Sequence, residues 1–246
     1  VIAIGGLDPS AGAGILADAR AIRATGAWAA CVCAVLTVQS TRGVRRAVSV
    51  EDALVSDQLA VLLEDLEVRA LKTGALGSNV GTVAKLAPAD VPLIVDPVMS
   101  PSRGEGELNA DLAQLIERAT LLTPNVPEAE KLLGSTISTM KDARSAAASL
   151  LELGPSAVLL KGGHLPGERV VDIFATRQAV VTLRRKRLDV DVHGTGCVLA
   201  SLIAGRLAMH ESDLGSVVRW ASAKLARWLR ASVSVGSGMR VLAAES

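Results

Sequence analysis

The residues best placed to do chemistry lie in Asp191-Val-His-Gly-Thr-Gly-Cys-Val-Leu-Ala-Ser-Leu-Ile-Ala-Gly205. A glycine-interrupted turn runs there into an apolar segment with no proline and no β-branched run, the pattern of a loop followed by a helix. His193, Gly194, Thr195, Gly196 and Cys197 then fall at or just before the helix N-terminus. The first backbone N–H groups of a helix lack intrahelical partners and sit at the positive end of its dipole. Glycine lets an anion approach that bare backbone, so the turn suits phosphate, or the charge developing on a phosphoryl group in flight. A plain tight turn ahead of a core helix fits the same residues, and the local sequence leaves both readings open.

What must position this turn is a regular alternation of strand, glycine turn and helix. Apolar runs predict strands over Val1–Gly6, Ala29–Val38, Val44–Val50, Val68–Lys72, Pro92–Asp96, Thr120–Thr123 and Ala157–Leu160, with a hairpin over Val170–Arg187. Helices are predicted over Ala11–Gly26, Glu51–Asp65, Val80–Leu86, Leu108–Arg118, Pro127–Leu133, Thr139–Leu153 and Asp213–Ala231. Uniformly apolar strands alternating with helices imply a central, mostly parallel sheet with helices on both faces. No internal boundary stands out, so residues 1–246 read as one α/β domain. In such sheets ligands bind beyond the C-terminal ends of the strands. The polar and glycine clusters fall there: Gly5-Gly6-Leu7-Asp8, Gln39-Ser40-Thr41, Lys72-Thr73-Gly74, Asp96-Pro97, Thr123-Pro124-Asn125 and Lys161-Gly162-Gly163-His164. Packing alone would not gather polar groups at one edge so regularly, which points to an enzyme.

Composition narrows the partners. Lys and Arg number 26 against 25 Asp and Glu, which gives no electrostatic reason to expect nucleic acid or an acidic membrane. One Phe, no Tyr and three Trp offer few platforms for stacking bases. The longest apolar run, Ala27–Val38, is too short to span a bilayer. Three cysteines without a CxxC spacing (Cys31, Cys33 and Cys197) fit a reducing cytoplasm, and Cys31 and Cys33, at strand spacing, read as packing residues. No signal peptide is recognisable, and the start at Val1 rather than Met leaves room for residues in front. Trp220 and Trp228 on the last helix could bury a homodimer face or ordinary core.

Two nucleotide signatures fail. The chain has no GxxxxGK[ST], and Gly12-Ala-Gly14 in the first turn lacks the third glycine of GxGxxG. Seven segments instead occur in an order that resembles the ribokinase-like superfamily, and within it the hydroxymethylpyrimidine/phosphomethylpyrimidine kinases of thiamine biosynthesis. They are Gly6-Leu-Asp-Pro-Ser-Ala-Gly-Ala-Gly-Ile-Leu-Ala-Asp18, Val38-Gln-Ser-Thr-Arg-Gly43, Lys72-Thr-Gly-Ala-Leu76 and Val95-Asp-Pro-Val-Met99. Leu122-Thr-Pro-Asn-Val-Pro-Glu-Ala-Glu130, Val158-Leu-Leu-Lys-Gly-Gly-His164 and His193-Gly-Thr-Gly-Cys197 complete the set, which covers nearly the whole chain.

The resemblance implies an ATP- and Mg²⁺-dependent kinase that phosphorylates a hydroxymethylpyrimidine and then its monophosphate. Gly194, Thr195, Gly196 and Cys197 would form the anion hole for the transferring γ-phosphoryl group. Cys197 would stand where sugar-kinase relatives carry an Asp base; a thiol at a helix N-terminus is expected to have a lowered pKa, and packing is its other reading. Lys161 would neutralise nucleotide phosphate, with Asn125 and Thr195 also on the ATP side. Glu128 and Asp96 would serve Mg²⁺, a cation that takes few carboxylates and keeps several waters; Asn125 also fits a helix N-cap. Gly6, Asp8, Asp18, Gln39 and Met99 would line the pyrimidine, Asp18 and Gln39 through polar contacts and Met99 by packing on the ring. The flap Ser100-Pro-Ser-Arg-Gly-Glu-Gly-Glu-Leu108 departs from the family's Lys-Ser-Gly element, and Gly236-Ser-Gly238 replaces its Gly-His-Gly. A pyridoxal or pyridoxine kinase, or a non-catalytic pyrimidine-binding regulator, are the alternatives.

Overall fold

The computed structural model describes residues 1–98, 110–209 and 213–243. Its frame is a nine-stranded sheet in the order β3-β2-β1-β4-β5-β6-β7-β8-β9. The strands are β1 (Ile2–Leu7), β2 (Ala30–Ser40), β3 (Gly43–Ser49), β4 (Leu71–Thr73), β5 (Leu93–Val95), β6 (Leu121–Leu122), β7 (Ala157–Leu160), β8 (Arg169–Thr176) and β9 (Val180–Lys186). Neighbours from β2 through β7 pair in parallel, while β3, β8 and β9 are antiparallel additions at the two edges. A second sheet of two short strands, β10 (Val192–His193) and β11 (Arg240–Val241), was not foreseen from the sequence.

Successive residues of the central strands alternate between two cores, as the period of two requires. Ile2, Ile4, Leu71, Leu93, Val95, Leu122, Val158 and Leu160 face α2 (Asp52–Asp65), α3 (Val80–Leu86), α4 (Ala110–Glu117), α5 (Val126–Leu133) and α6 (Met140–Leu151). Ala3, Ile94, Leu121, Ala157 and Leu159 face α1 (Gly14–Arg23), α7 (Thr195–Ala208) and α8 (Leu214–Arg230). Trp228 is buried in this second core and Trp220 packs against it. Cys31 and Cys33 are half-buried free thiols on β2, and Cys31 also packs against the second core.

The chain runs from β1 outward to β2 and then returns to β4 on the other side of β1. That reversal opens a crevice beyond the C-terminal ends of β1 and β4, where an open α/β sheet takes its ligand. The first helix begins at Gly14 rather than Ala11. The reason is Asp8, whose carboxylate accepts from Ser10 N, Ser10 Oγ and Ala13 N and winds residues 8–13 into a polar loop. Gly14 itself has φ +60°, and a Cβ there would stand 2.2 Å from the carbonyl oxygen of Gly6. Only glycine lets the loop close this tightly over the end of β1. Among the described residues, no helix is long and apolar enough to cross a membrane.

Candidate active site

Helix α7 begins where the glycine turn predicted it. Gly194 caps it with φ +76°, and a Cβ on Gly194 would lie 2.1 Å from the carbonyl oxygen of Gly12. The turn therefore locks backbone-to-backbone onto the loop after β1. The first intrahelical bond runs from Val198 N to Gly194 O, 3.0 Å. The amides of Thr195, Gly196 and Cys197 precede it, and none finds a backbone acceptor among the described residues. They are the free donors of a fourteen-residue helix.

Facing these amides is a charged cluster built at the ends of β5 and β7 and the start of α5. Lys161 Nζ lies 2.8 Å from Asp96 Oδ1 and 3.9 Å from Glu128 Oε2. Thr123 Oγ1 donates to the same Asp96 oxygen at 3.2 Å. Asn125 and Glu128 form a capping box: Glu128 N donates to Asn125 Oδ1 (2.9 Å) and Asn125 N to Glu128 Oε2 (2.7 Å). The backbone of Lys161 is tied to the same loop through its bond to Pro124 O. Gly196 completes the arrangement, because the place a Cβ would take lies 2.8 Å from Lys161 Nζ. Ammonium and amides thus converge on one spot.

Electrostatics keep that ammonium charged. Burial works against Lys161, but Asp96 and Glu128 outweigh it and hold its pKa above the usual lysine value. Burial also works against the Asp96 carboxylate, yet Lys161 and Lys72 carry its pKa below the usual range. Lys161 takes Asp96 Oδ1, and Asn125 takes Glu128 Oε2, which leaves each carboxylate its second oxygen. Two such oxygens near the Lys161 ammonium fit a hard cation that retains most of its water. Among the described residues no group of three or more His, Cys, Asp or Glu forms a denser metal cage.

On the opposite side of the turn stands a second polar group. His193 Nε2 lies 3.2 Å from Asp8 Oδ2 and 2.7 Å from the Gln39 amide nitrogen. Asp8, Gln39 and the buried Gly6 are therefore brought together across β1 and β2, and His193 links them to the anion turn. Sequence reasoning placed His193 in the motif but gave it no role; its position directly before Gly194 was the available signal. Met99 and the flap 100–107 lie outside the described residues.

Two expectations are corrected. Asp18 does not line the crevice: it is fully buried, with Lys72 Nζ 3.0 and 2.9 Å from its two oxygens and Ser201 Oγ donating to Oδ1 at 2.8 Å. The face of α1 that carries Asp18 turns toward the sheet and α7, so its carboxylate serves an internal ion pair rather than a ligand. The Cys197 thiol, expected to have a lowered pKa, is instead pushed up to about 12, by burial first, with Lys72 pulling the other way. Cys197 is half-buried, and the helix terminus does not offset the water its sulfur has lost.

Against this geometry, the family model described as phosphomethylpyrimidine kinase matches residues 8–243. The chain belongs to the phosphomethylpyrimidine kinase family. A hydroxymethylpyrimidine/phosphomethylpyrimidine kinase of Streptomyces coelicolor is 37% identical over 248 residues, 97% of this chain and 91% of the relative. Two bifunctional thiamine biosynthesis proteins also match, one of Arabidopsis thaliana at 39% identity (88% of this chain) and one of Geobacter sulfurreducens at 38% (95%). The chain spans about half the length of these bifunctional relatives, 44% and 49%. Among solved structures, phosphomethylpyrimidine kinase of Clostridium difficile is similar with TM-score 0.75 and 30% identity, over 93% of this chain and 98% of that one. Pyridoxal kinase of Staphylococcus aureus in complex with pyridoxal gives TM-score 0.90 at 25% identity, over 98% and 91%. The phosphomethylpyrimidine kinase family and its pyridoxal kinase neighbours share the ribokinase-like fold seen here.

Proposed function

We propose that the chain is one ATP-dependent kinase domain that phosphorylates the CH₂OH of 4-amino-5-hydroxymethyl-2-methylpyrimidine and then the resulting monophosphate, a step of thiamine biosynthesis in the cytoplasm. The observation that carries this reading is the convergence of the Lys161 ammonium on the free amides at residues 195–197. Phosphoryl transfer needs little covalent help from a protein; it needs in-line positioning and charge stabilisation aimed at the equatorial oxygens. The amides of Thr195, Gly196 and Cys197 receive those oxygens as charge develops, and Lys161 balances the nucleotide phosphates. Asn125 and Thr195 edge the nucleotide side. Asp96 and Glu128 are the residues that would hold Mg²⁺, which would neutralise charge on the nucleotide phosphates.

On the acceptor side, Gln39 offers an amide to the aminopyrimidine edge, while Asp8 and Gly6 shape the pocket wall, with Met99 as the remaining wall residue. Cys197, in the first turn of α7, is the residue that would take the proton of the acceptor hydroxyl. A thiol with its midpoint near 12 begins the reaction protonated, so Cys197 takes the acceptor's proton only when it has lost its own. The neighbouring cations lower that cost.

The similarity to the pyridoxal-bound pyridoxal kinase of Staphylococcus aureus makes pyridoxal the second acceptor to be weighed. A coupled ADP-release assay with ATP and Mg²⁺, run on hydroxymethylpyrimidine, its monophosphate and pyridoxal, separates the readings. Turnover of both pyrimidines is the expected result. Preference for pyridoxal would reassign the acceptor, and silence with all three while the pyrimidine still raises the melting temperature would leave a binding protein.

A further inference from the structure

Beneath the anion turn lies a charged cluster that the proposed chemistry has not used. Lys72 sits in the middle of β4, with Asp18 on α1 and Ser201 on α7. The side chains of Lys72 and Asp18 are 0% and 1% exposed, and the pair is bidentate, Nζ reaching both carboxylate oxygens. A sealed pair of this kind is a poor source of stability, since desolvation consumes most of the Coulombic gain. Its cost calls for a reason, and its position supplies one.

Ser201 lies four residues after Cys197, so the two share one face of α7. Asp18, clamped by Ser201 on that face, holds the Lys72 ammonium close against α7. Gly74 leaves the room, since a Cβ there would stand 3.1 Å from Lys72 Nζ. Four charges bear on the Cys197 thiol: Lys72 from β4, Asp96 from the end of β5, Asp18 from α1 and Lys161 from the end of β7. Lys72 weighs most among them and favours the thiolate, while the two carboxylates oppose it. Burial works against the Lys72 charge itself, but Asp18 holds its pKa above the usual lysine range, so this cation persists at any working pH.

We propose that Lys72 is a positioning residue of the active site, held by the Asp18–Ser201 clamp so that its charge lowers the cost of forming the Cys197 thiolate. This inference rests on the kinase reading for its purpose, but the charge effect on the thiol can be measured without turnover. At a pH below the thiol's midpoint, the rate of alkylation is proportional to the thiolate fraction. The folded protein is treated with iodoacetamide, and labelling of Cys197 is followed by mass spectrometry against Cys33, whose ionisation is set by burial and backbone contacts.

Lys72→Met is expected to slow labelling of Cys197 by about tenfold or more, the change in thiolate fraction that one pKa unit gives. Asp18→Asn withdraws the carboxylate that keeps the buried Lys72 charged and in place, so it is expected to slow labelling as well. A purely structural cluster would behave otherwise: either variant would loosen the turn, expose the sulfur and speed labelling. The double variant Asp18→Asn/Lys72→Met leaves no uncompensated buried charge, so it keeps the test available if a single variant does not fold. It should label more slowly than the parent, since Lys72 outweighs Asp18 at the sulfur. Equal or faster labelling in both Lys72 variants would overturn the proposal. In the kinase assay Lys72→Met should lower kcat while leaving KM for ATP unchanged. If the parent protein proves silent with every acceptor, the kinase reading fails alone, and the labelling rates still decide the role of Lys72.

Discussion

Two buried lysine–aspartate pairs lie near the catalytic edge of the sheet, Lys161–Asp96 just beyond β7 and β5 and Lys72–Asp18 between β4 and α1, and they differ chiefly in what closes over them. Lys161–Asp96 keeps an edge open: the lysine side chain is 13% exposed, a second carboxylate lies 3.9 Å away, and a glycine covers it where a Cβ would collide. Lys72–Asp18 is sealed between α1, α7 and the sheet, with Ser201 filling the remaining hydrogen bond. Charge and distance are nearly the same, 2.8 and 2.9 Å. Access decides which pair can meet a phosphate and which can only act on its neighbours. The difference also separates their energetics, because the open pair can exchange its partner for a ligand and the sealed one cannot.

The comparison breaks if the open pair proves structural or the sealed one dispensable. Lys161→Met should lower kcat by on the order of 10³, the scale of losing one focused charge at a phosphoryl group, with KM for the pyrimidine little changed in steady-state kinetics. Asp18→Ala should act on stability instead, costing about 3–5 kcal/mol because it strands a buried ammonium; urea denaturation midpoints read this directly. Equal loss of stability in both variants would erase the distinction.

A pH profile sharpens it next. Lys161 is held above its usual value and Asp96 below it, so the open pair stays ionised from about pH 4 to about pH 10 and contributes no slope between them. Cys197, with its midpoint near 12, is protonated throughout that window. If its thiolate takes the acceptor proton, log kcat rises with pH toward a slope of one, and Cys197→Ala removes the slope together with roughly 10²–10⁴ of the rate. A flat profile and a small effect of the alanine would leave Cys197 as packing and a backbone donor.

How far the sequence carried this picture follows from the range of each interaction. The alternating strands were legible because two-faced burial writes itself into every residue of β4, β5 and β7, and the anion turn because glycines and a helix start are local. The capping box at Asn125 and Glu128 was legible for the same reason. The partner of Asp18 was not, because helical spacing shows only which face a residue occupies, and Lys72 stands 54 positions away. The Cys197 thiol was misread through the same gap: a helix N-terminus is visible in sequence, whereas the burial that outweighs it comes from several elements at once. The pairing of β10 with β11 joins segments nearly fifty residues apart through only two residues each, too short to leave a periodic trace.

The smallest expected effect is the most discriminating. Each aspartate has one hydroxyl partner, Ser201 for Asp18 at 2.8 Å and Thr123 for Asp96 at 3.2 Å. Deleting a hydrogen bond to a buried carboxylate costs about 1.5–3 kcal/mol, which in a chain of this size lowers Tm by roughly 2–4 °C per kcal/mol. Ser201→Ala should show that loss in full, since no ligand or water reaches the sealed pair, and kcat should change little while Asp18 still grips Lys72. Thr123→Val should show less of it in Tm, because Lys161 lies closer to the same oxygen and solvent reaches the lysine. Its mark should fall on turnover, through a carboxylate now free to swing toward the ammonium and away from the nucleotide side. Scanning calorimetry and steady-state kinetics on the two variants would therefore cross: the larger Tm shift belongs with the smaller kinetic change. Parallel shifts in both measurements would mean that the two pairs share one environment, and that access does not distinguish them.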